Sequence, residues 1–530
     1  MNKHFRRYHP ASPPALLPAA LLAALLAAGS AVAQDQENPV AAETESPGSE
    51  KDDGDVGLGL TPGTPNVGTL PGGIAPAYGQ RPEDEADYRF DFHGFLTMPF
   101  RVGINQRSGA VTTEQKNTVV HAPPVVPDYR DSFNHTGTVP QPYVQLAFSY
   151  GNSIVTGTAI IKARTASTAA SFFDPPLQSG ITDAFLTFDL PNLSKGMHLA
   201  INVGAFSNRY GTTGEFDEGQ YGTPIMGRTN GVGENVVARL ALGDVVLALE
   251  QGFQGQLDKP PVGLVPDGWN GFADPNTGTS LVHHEHVGIG YRRQLTFGLH
   301  YLQAWSQDDR AAQALQPDGT ITVAGADLRF SASHLGHFYL GASYTDAERA
   351  RSVGRILEIM NTEGGPDLMR NYLGPNSGGT GRLFTVASQY NLSLARLLLY
   401  PYSFDGKARD IILSAFGMYT HVESADPEFD GVDKLKFGAE GSYTLASWFA
   451  ASMRLDHVRP TSKDSEQAFS IISPRAIFRS GWQSRDQVVL QYSRFIYGEN
   501  PVVRSGYPAL DDPRLEPDEH MLSISASMWW

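Results

Sequence analysis

The sequence predicts an all-β protein: a transmembrane antiparallel β-barrel of about 16–18 strands, with a short helical insert in a long loop. Two observations predict this fold. Apolar and polar residues alternate along many strand-length segments, and the connections between these segments are alternately long and short. The composition agrees, because only 18% of the 530 residues are charged, fewer than in an ordinary soluble domain.

Charge and cysteine content exclude several functions. The chain has 40 Lys and Arg against 56 Asp and Glu, a formal net charge of −16. Such a balance excludes a generally basic nucleic-acid-binding protein, so no nucleic-acid partner is expected. Because cysteine is absent, a disulfide framework, a Cys-ligated zinc site and a thiol nucleophile are also excluded.

Residues 1–33 are predicted to be a secretory signal peptide. Lys3 and Arg6 lie in a basic start, Ala15–Ala28 is an apolar run, and Ala31–Ala33 has the A-x-A form of a cleavage site. The apolar run is shorter than the roughly 18–20 residues that a helix needs to cross a bilayer. An uncleaved membrane anchor is the alternative.

Residues 34–88 are predicted to be an acidic, Pro/Gly-rich disordered linker. The segment carries twelve acidic and two basic residues. Its few apolar residues cannot bury enough surface to offset the entropy of ordering. An acidic plug or a tether for a periplasmic partner is the alternative. Residues 89–530 then form the barrel domain.

The barrel strands are predicted from period-two alternation. In the first of them, Phe90, Phe92 and Leu96 lie on one face, opposite Asp91 and His93. The same alternation predicts about eighteen strands, most of them close to the ~9–11 residues of a tilted membrane-crossing strand. They lie near 89–103, 141–150, 153–163, 181–190, 197–206, 234–242, 244–251, 282–292, 295–304, 321–332, 337–346, 381–391, 409–421, 433–445, 448–458, 467–479, 485–496 and 519–530.

The connections give the strongest indication. The long segment 104–140 precedes a turn at Gly151-Asn152, and the long segment 207–233 precedes a turn at Gly243 alone. Only 392–408 is longer than this alternation predicts. Outer-membrane barrels have short periplasmic turns and longer extracellular loops, whereas a soluble sandwich or propeller has no reason to alternate them.

The last strand carries a second indication. Five apolar residues alternate with more polar ones up to the final aromatic residue: Leu522, Ile524, Ala526, Met528 and Trp530. This pattern resembles the assembly signal of Gram-negative outer-membrane proteins, and over 89–530 the architecture resembles the porin superfamily. The resemblance implies export through a cleaved signal peptide, location in the bacterial outer membrane, and contact with its lipid, lipopolysaccharide and assembly machinery. The motif indicates an outer-membrane barrel but does not indicate which one.

Polar residues opposite the lipid-facing positions are predicted to line the lumen. These pore-lining residues are Arg101, Arg329, Lys434, Lys436, Glu440, Arg454, Asp456, Arg475 and Arg479. Opposed charges across a constriction select hydrated solutes electrostatically. Arg454, Arg475 and Arg479 are the favoured cluster, because their strands are neighbours in sequence. In the alternative, these arginines pair with neighbouring carboxylates and have no role in selectivity.

Residues 347–373 are predicted to contain a helix in a long loop. Apolar residues from Ala347 to Met360 recur at three- and four-residue spacing, Gly364-Gly365 ends the run, and Pro366 can begin a second short helix. Such a loop can fold into the lumen and narrow it, or cap the rim from outside. If it folds inward, four charged residues face the solute: Arg349, Arg351, Arg355 and Glu358.

Neither a metal site nor a catalytic motif is predicted. Along a strand, His284 and His286 point opposite to His283 and Glu285, so the four cannot converge on one metal. They are expected to be polar residues at the barrel rim. Three aspartates, Asp426, Asp430 and Asp433, lack the spacing of a calcium-binding loop and are expected to be surface acids. Catalytic residues, cofactors and metals are therefore all expected to be absent.

The sequence thus predicts a porin that allows passive diffusion of small hydrophilic solutes or ions through a water-filled, charge-lined lumen. Two alternatives remain: a secreted soluble β-rich binding module and an outer-membrane barrel enzyme. The solute and the ion selectivity are left open, and so is assembly into a homo-oligomer.

Overall fold

The fold is built almost entirely from antiparallel strands. The computed structural model describes residues 88–104, 143–152, 154–165, 177–194, 196–209, 215–217, 222–224, 227–257, 279–292, 294–307, 319–332, 335–353, 357–359, 362–363, 372–374, 376–398, 409–459, 461–465, 468–480, 486–497 and 518–529. The predicted signal peptide and nearly all of the predicted linker lie outside the described residues.

Within the described ranges, eighteen strands are long and four are short. The long strands are β1 (Arg89–Ile104), β2 (Tyr143–Gly151), β3 (Val155–Thr165), β4 (Leu177–Ser194), β5 (Met197–Arg209), β8 (Gly227–Leu242), β9 (Val245–Leu257), β10 (Thr279–Tyr291), β11 (Leu295–Gln307), β12 (Thr320–Ala332), β13 (Gly336–Glu348), β16 (Gly381–Ser393), β17 (Ile411–Ser424), β18 (Val432–Ala446), β19 (Phe449–Arg459), β20 (Phe469–Phe478), β21 (Asp486–Tyr497) and β22 (Asp518–Trp529). The short strands are β6 (Glu215–Asp217), β7 (Gly222–Pro224), β14 (Leu357–Ile359) and β15 (Thr362–Glu363).

Each long strand pairs with two antiparallel neighbours. Most neighbours are consecutive in sequence, while β5 pairs with β8 and β13 pairs with β16, because the short strands lie in the loops between them. The first strand pairs with β2 on one side and with β22 on the other. The ladder therefore returns to its start, and the eighteen strands form a barrel, as predicted.

Among the residues that the structure describes, helical structure is confined to short turns. A 3-10 turn spans Ala350–Val353 after β13, and a helical turn spans Leu394–Leu397 after β16. Among the described residues, no helix is long and apolar enough to cross a membrane. The second turn lies at the start of the unusually long connection 392–408. There Asp410 accepts hydrogen bonds from the Ala395 amide (2.9 Å) and the Ser393 hydroxyl (2.6 Å), which fixes the start of the turn.

The two ends of the barrel differ as the loop lengths predict. At one end, the hairpins close over a few residues, such as Gly243 between β8 and β9, where a φ of 63° requires a residue that tolerates the left-handed region. At the other end the strands are joined by the longer segments. Several strands extend further toward this end than the alternation predicts, since β8 begins at Gly227 rather than near 234. Hydrogen bonds from the neighbouring strand β5 continue to Arg228 and hold this extension.

Side chains alternate between the two surfaces of the wall. On β18 and β19, Phe437 is 47% exposed and Leu455 52% exposed, whereas Lys436 and Arg454 on the other face are buried. The barrel therefore has an apolar outer surface and a polar inner surface. A soluble protein rarely exposes so continuous an apolar surface, whereas a bilayer requires one.

The seam between β1 and β22 gives a first prediction. Met528 pairs with Leu96 of β1 and with Asp486 of β21, and Trp529 pairs with Phe95. Deleting Met528–Trp530 is expected to abolish barrel assembly, because it removes the lower part of this seam. The measurement is the heat-modifiable electrophoretic mobility of the protein in isolated membranes. The conservative Met528→Leu variant should assemble normally, and a truncated chain that assembles as the wild type does would contradict the prediction.

Candidate pore

The inner face of β18, β19 and β20 carries a network of paired charges. The Arg454 guanidinium donates two 2.8 Å hydrogen bonds to the Asp456 carboxylate, and its Nη1 lies 3.6 Å from Glu440 Oε2. Arg475 Nη1 donates to both oxygens of Glu440, at 2.9 and 3.1 Å. Ser452 donates a further hydrogen bond to Glu440. We call Glu440, Arg454, Asp456 and Arg475 the Arg454 cluster.

The Arg454 cluster is balanced in formal charge and nearly dry. Its two arginines face two carboxylates, and the side chain of Arg454 is fully buried. The guanidinium carbon lies 4.7 Å from the centre of the Phe416 ring of β17, a cation–π contact. The favoured arginines Arg454 and Arg475 are thus brought together, and both are ion-paired. This is the arrangement that the sequence analysis gave as the alternative, in which the arginines pair with neighbouring carboxylates.

Arg479 does not join this cluster. It follows the end of β20, and its backbone amide donates a 2.9 Å hydrogen bond to the Trp448 carbonyl in the turn between β18 and β19. The expectation that Arg479 lies on the strand wall beside Arg454 is therefore wrong. The alternation was extended past Phe478, where β20 ends and the chain turns toward β21.

The remaining predicted pore residues lie on inward positions of other strands or nearer the loops. Lys434 and Lys436 are almost fully buried on β18, and Lys434 Nζ lies 5.8 Å from the Tyr372 ring centre. Arg329 of β12 lies 5.5 Å over the Tyr339 ring. Arg101 pairs in register with Ser523 of β22, and its side chain lies outside the described residues.

The loop after β13 differs from the predicted helix. Ala347 and Glu348 complete β13, the 3-10 turn Ala350–Val353 follows, and Leu357–Ile359 forms the strand β14. A short helical insert is present, but the three- and four-residue spacing does not continue as a helix to Met360. The reason is tertiary: β14 finds an edge partner in β8, where Leu357 pairs with Thr229.

This loop lies against the inner side of the wall. Ala350 and Val353 are fully buried in one apolar cluster with the inward residues Leu302 of β11 and Ile321 of β12. Further along, Leu373 joins the same cluster, and its carbonyl accepts a 2.5 Å hydrogen bond from Ser424 of β17. Because β8 is five strands away from β13 around the barrel, the loop also reaches across the wall to pair there. Its described parts therefore pack against inward residues of the wall and pair with the loop end of β8.

The four predicted constriction residues are placed differently from one another. Arg349 leaves β13 with a φ of 52°, and its guanidinium lies 3.1 Å from Glu348. Glu358 pairs in register with Arg228 of β8. Arg351 belongs to the 3-10 turn with a side chain that is not described, and Arg355 lies outside the described residues.

A second polar layer lines β9 to β12, and most of it was not predicted. His284 Nε2 lies 3.4 Å from Glu250, while His286 Nε2 and His300 Nδ1 each lie 3.4 Å from the same Asp327 oxygen. As predicted, His284 and His286 point to the opposite side of the wall from His283 and Glu285. They are not polar residues of an open rim, however, since both are fully buried. The alternation identifies inward positions, whereas these pairs depend on strand register.

Glycines on the neighbouring strands provide the space for these imidazole rings. His284 lies over Gly252 and His300 over Gly325, and both pairs are directly opposite in register. Gly298 faces His286 and Asp327, and a Cβ built there would lie 2.8 Å from Asp327 Oδ1 and would also collide with the His286 ring. The buried histidine layer therefore requires these glycines.

Gly298→Ala is expected to lower the free energy of unfolding by about 1–3 kcal/mol, because the added methyl overpacks a filled site. Urea titration of the barrel in phospholipid vesicles measures it. The matched control is Gly417→Ala, where the nearest atom to the new Cβ is 3.8 Å away and little change is expected. In the background of His286→Ala, the cost of Gly298→Ala should be smaller, because only the contact with Asp327 remains. If Gly298→Ala lowers the free energy of unfolding equally with and without the His286 ring, this ring does not fill the space beside Gly298.

The three aspartates Asp426, Asp430 and Asp433 act in hydrogen bonds. Asp426 accepts from the Asn376 amide at 3.0 Å, Asp430 accepts from the Ser424 amide at 3.0 Å, and Asp433 accepts from the Tyr419 hydroxyl at 2.7 Å. Within the described ranges, no group of three or more His, Asp or Glu residues is arranged to hold a metal ion.

The apolar outer surface, the polar inner surface and the inward loop together define the class of protein: a membrane-spanning β-barrel of the outer-membrane type.

No protein-family model and no curated protein matches the sequence. The chain is similar in fold to the outer-membrane channel DcaP of Acinetobacter baumannii, with 10% identity, a TM-score of 0.39, and 85% of this chain and 99% of that chain covered. It is also similar to OccK3 (OpdO) of Pseudomonas aeruginosa, with 11% identity, a TM-score of 0.37 and coverage of 86% and 98%. A third similar structure is OpdK of Pseudomonas aeruginosa with vanillate, with 10% identity, a TM-score of 0.35 and coverage of 84% and 98%.

Proposed function

We propose that this chain is an outer-membrane channel through which small hydrophilic solutes or ions diffuse passively. The observation that carries the proposal is the Arg454 cluster, because four charged side chains on adjacent inward positions have no place in the apolar core of a soluble barrel. On the inner face of a membrane barrel they are kept away from lipid, and their paired charges lie beside the path of hydrated solutes. Eighteen strands also enclose a space that side chains alone do not fill.

The inward loop supports a selective rather than a wide pore. Its described parts pack on inward residues of β11 and β12, so the loop would narrow the cross-section open to solute. Both signs of charge face inward, with carboxylates at Asp327 and Glu440 and cations at Arg329 and Arg475. The proposed substrates are therefore small and hydrophilic, and the wall presents neighbouring positive and negative groups to them.

The proposal includes the cellular setting. A signal peptide at 1–33 would export the chain, and the bacterial assembly machinery would fold it into the outer membrane. There its apolar belt would contact lipid and lipopolysaccharide. Exposed outward side chains such as Leu299, Phe437 and Leu455 support this setting over a soluble β-rich module.

The test is reconstitution of the heat-modifiable, folded protein in planar lipid bilayers. Stepwise single-channel currents are expected, and a salt gradient gives the ion preference from the reversal potential. Folded barrel that inserts and shows no current above background would overturn the channel proposal. Hydrolytic activity in detergent without conductance would instead support a barrel enzyme.

A further inference from the structure

Two groups of charged or titratable side chains lie at the same height on the inner wall. Glu250, His286, His300 and Asp327 are each five residues from the end of their strand at the short turns, and so is Arg454 on β19. Strand register agrees, because His286 is directly opposite both Glu250 and His300. Between β12 and β19 the wall contains the strands β13, β16, β17 and β18. A solute that passes the Arg454 cluster would therefore pass the second group at the same depth.

The second group, together with His284 of β10, is called the histidine layer: Glu250, His284, His286, His300 and Asp327. His284 Nε2 lies 3.4 Å from Glu250 Oε1, and His286 Nε2 and His300 Nδ1 each lie 3.4 Å from Asp327 Oδ2. Each of the five residues is at most 4% exposed. Because buried charges are weakly screened, a change of charge in this layer acts strongly on its surroundings.

With neutral imidazoles, the polar atoms at the centre of the layer are poorly satisfied. Among the described residues, neither ring nitrogen of His286 has a hydrogen-bond partner, and Asp327 Oδ1 has none either. Buried polar atoms nearly always have a partner in native proteins, since leaving one without a partner costs free energy. A proton on His286 would place an opposite charge 3.4 Å from the Asp327 carboxylate. The arrangement therefore favours uptake of protons by the layer.

The charged groups around the layer are balanced when its imidazoles are neutral. On β8, the inward Arg239 is directly opposite Ala248 of β9, and on β12 Arg329 lies over the Tyr339 ring of β13. These two arginines match the two carboxylates of the layer in number. Three protonated imidazoles would add three positive charges to this balance.

The other elements packed against the layer leave this count unchanged. Beyond Arg239, His198 of β5 pairs with Asp189 of β4. Toward the loops, Leu302 is directly opposite His284 and belongs to the apolar cluster that holds the inward loop. On β13, the residue directly opposite Asp327 is Gly341.

We propose that the histidine layer is a proton-binding site that sets the ion preference of the lumen. The proposal rests on the channel function proposed above. Histidine is the side chain that changes its charge between about pH 5 and pH 8. In mild acid the layer gains positive charge, so the electrostatic potential of the lumen becomes more favourable for anions. The Arg454 cluster contains no imidazole, and its arginines stay charged throughout this range.

The test compares the reversal potential of the reconstituted channel in a potassium chloride gradient at about pH 8 and about pH 5. In the wild type, the potassium-to-chloride permeability ratio is expected to fall by about twofold or more in acid. The triple variant His284→Gln, His286→Gln and His300→Gln should lose most of this change. A wild-type ratio that stays constant, or an equally large change in the folded triple variant, would overturn the proposal.

Two single variants distinguish the layer from histidines elsewhere. His300→Gln removes one of the two imidazoles at Asp327 and should lose part of the pH response. The matched control is His457→Gln on the outer face of β19, where the ring contacts the Ser470 hydroxyl at 3.0 Å, and it should keep the whole response. Heat-modifiable mobility verifies that each variant is folded. If His457→Gln weakens the response as much as His300→Gln does, the response does not arise in the layer.

A second measurement needs no current. In the full barrel in lipid nanodiscs, nuclear magnetic resonance of isotope-labelled histidine reports the protonation of each imidazole. The signals that disappear in His286→Gln and in His300→Gln should change between about pH 5 and pH 8. Signals that keep one protonation state throughout would overturn the proton-binding site, whatever the conductance. If these signals titrate but the folded barrel carries no current, the channel proposal fails and the proton-binding site stands.

Discussion

Replacing Arg454 with alanine is expected to lower the free energy of unfolding by about 3–5 kcal/mol. Arg454 is fully buried, and it is the partner of Asp456 through two 2.8 Å hydrogen bonds. Without it the Asp456 carboxylate remains buried with its main counter-charge removed, and Glu440 keeps Arg475 as its charged partner. Urea titration of the barrel in phospholipid vesicles measures the loss.

Two comparisons separate pairing from simple loss of packing. Arg382→Ala removes an exposed arginine that pairs at the rim with Asp346 and Glu423, and little change in stability is expected because water screens such pairs. Arg454→Ala combined with Asp456→Ala should be less destabilised than the sum of the single variants, since no lone carboxylate remains. If the two single losses of stability add up to the loss in the double variant, the pairing of Arg454 with Asp456 does not stabilise the barrel.

The same variant is expected to change ion selectivity. Removing one positive charge leaves the Arg454 cluster with two carboxylates and one arginine, so the lumen becomes more favourable for cations. In a potassium chloride gradient, the reversal potential should shift toward the potassium equilibrium potential. If the reversal potential of the folded variant shifts toward the chloride equilibrium potential, or does not shift, the Arg454 cluster does not influence the ions that pass through the lumen.

Introducing a charge at Val353 is expected to release the inward loop and raise single-channel conductance. Val353 is fully buried in the apolar cluster that joins the 3-10 turn to Leu302 and Ile321 of the wall. Val353→Asp would place a carboxylate without a counter-charge there, which costs several kcal/mol if the loop stays docked. The barrel itself should persist, because every wall strand keeps its two neighbours.

The control for this prediction is Val353→Ala, which keeps the site apolar and should leave conductance close to that of the wild type. A readout that does not depend on channel activity is trypsin cleavage at Arg351 and Arg355, which flank Val353 in the sequence. Cleavage should be faster in the aspartate variant than in the alanine variant. Unchanged cleavage and conductance in Val353→Asp would show that the loop does not restrict the lumen.

Much of the architecture could be predicted because it depends on local pattern. Side chains alternate strictly along a strand, so Lys434, Lys436 and Glu440 could be assigned to the inner face without knowing any neighbour. The alternately long and short connections gave the number of strands and the two ends of the barrel. The same local rule separated His284 and His286 from His283 and Glu285.

Pairing across strands could not be predicted in the same way. The partners Glu250 and Asp327 of the buried histidines lie on β9 and β12, and a one-residue change of register would separate each pair. The loop after β13 was misjudged as a longer helix because its strand β14 forms only against β8, far away in sequence. Arg479 was misplaced because the alternation does not show where β20 ends.

By itself, the sequence determined the strand count, the lipid-facing and lumen-facing residues and the order of loops, since each follows from periodicity within a single segment. Only the tertiary structure decided that Arg454 and Arg475 are neutralised, that the loop after β13 packs on the inner side of the wall, and that His286 and His300 share Asp327. These features depend on how residues distant in sequence are brought into register when the barrel closes. The free energy of a charge depends on those neighbours and not on its own position in the chain.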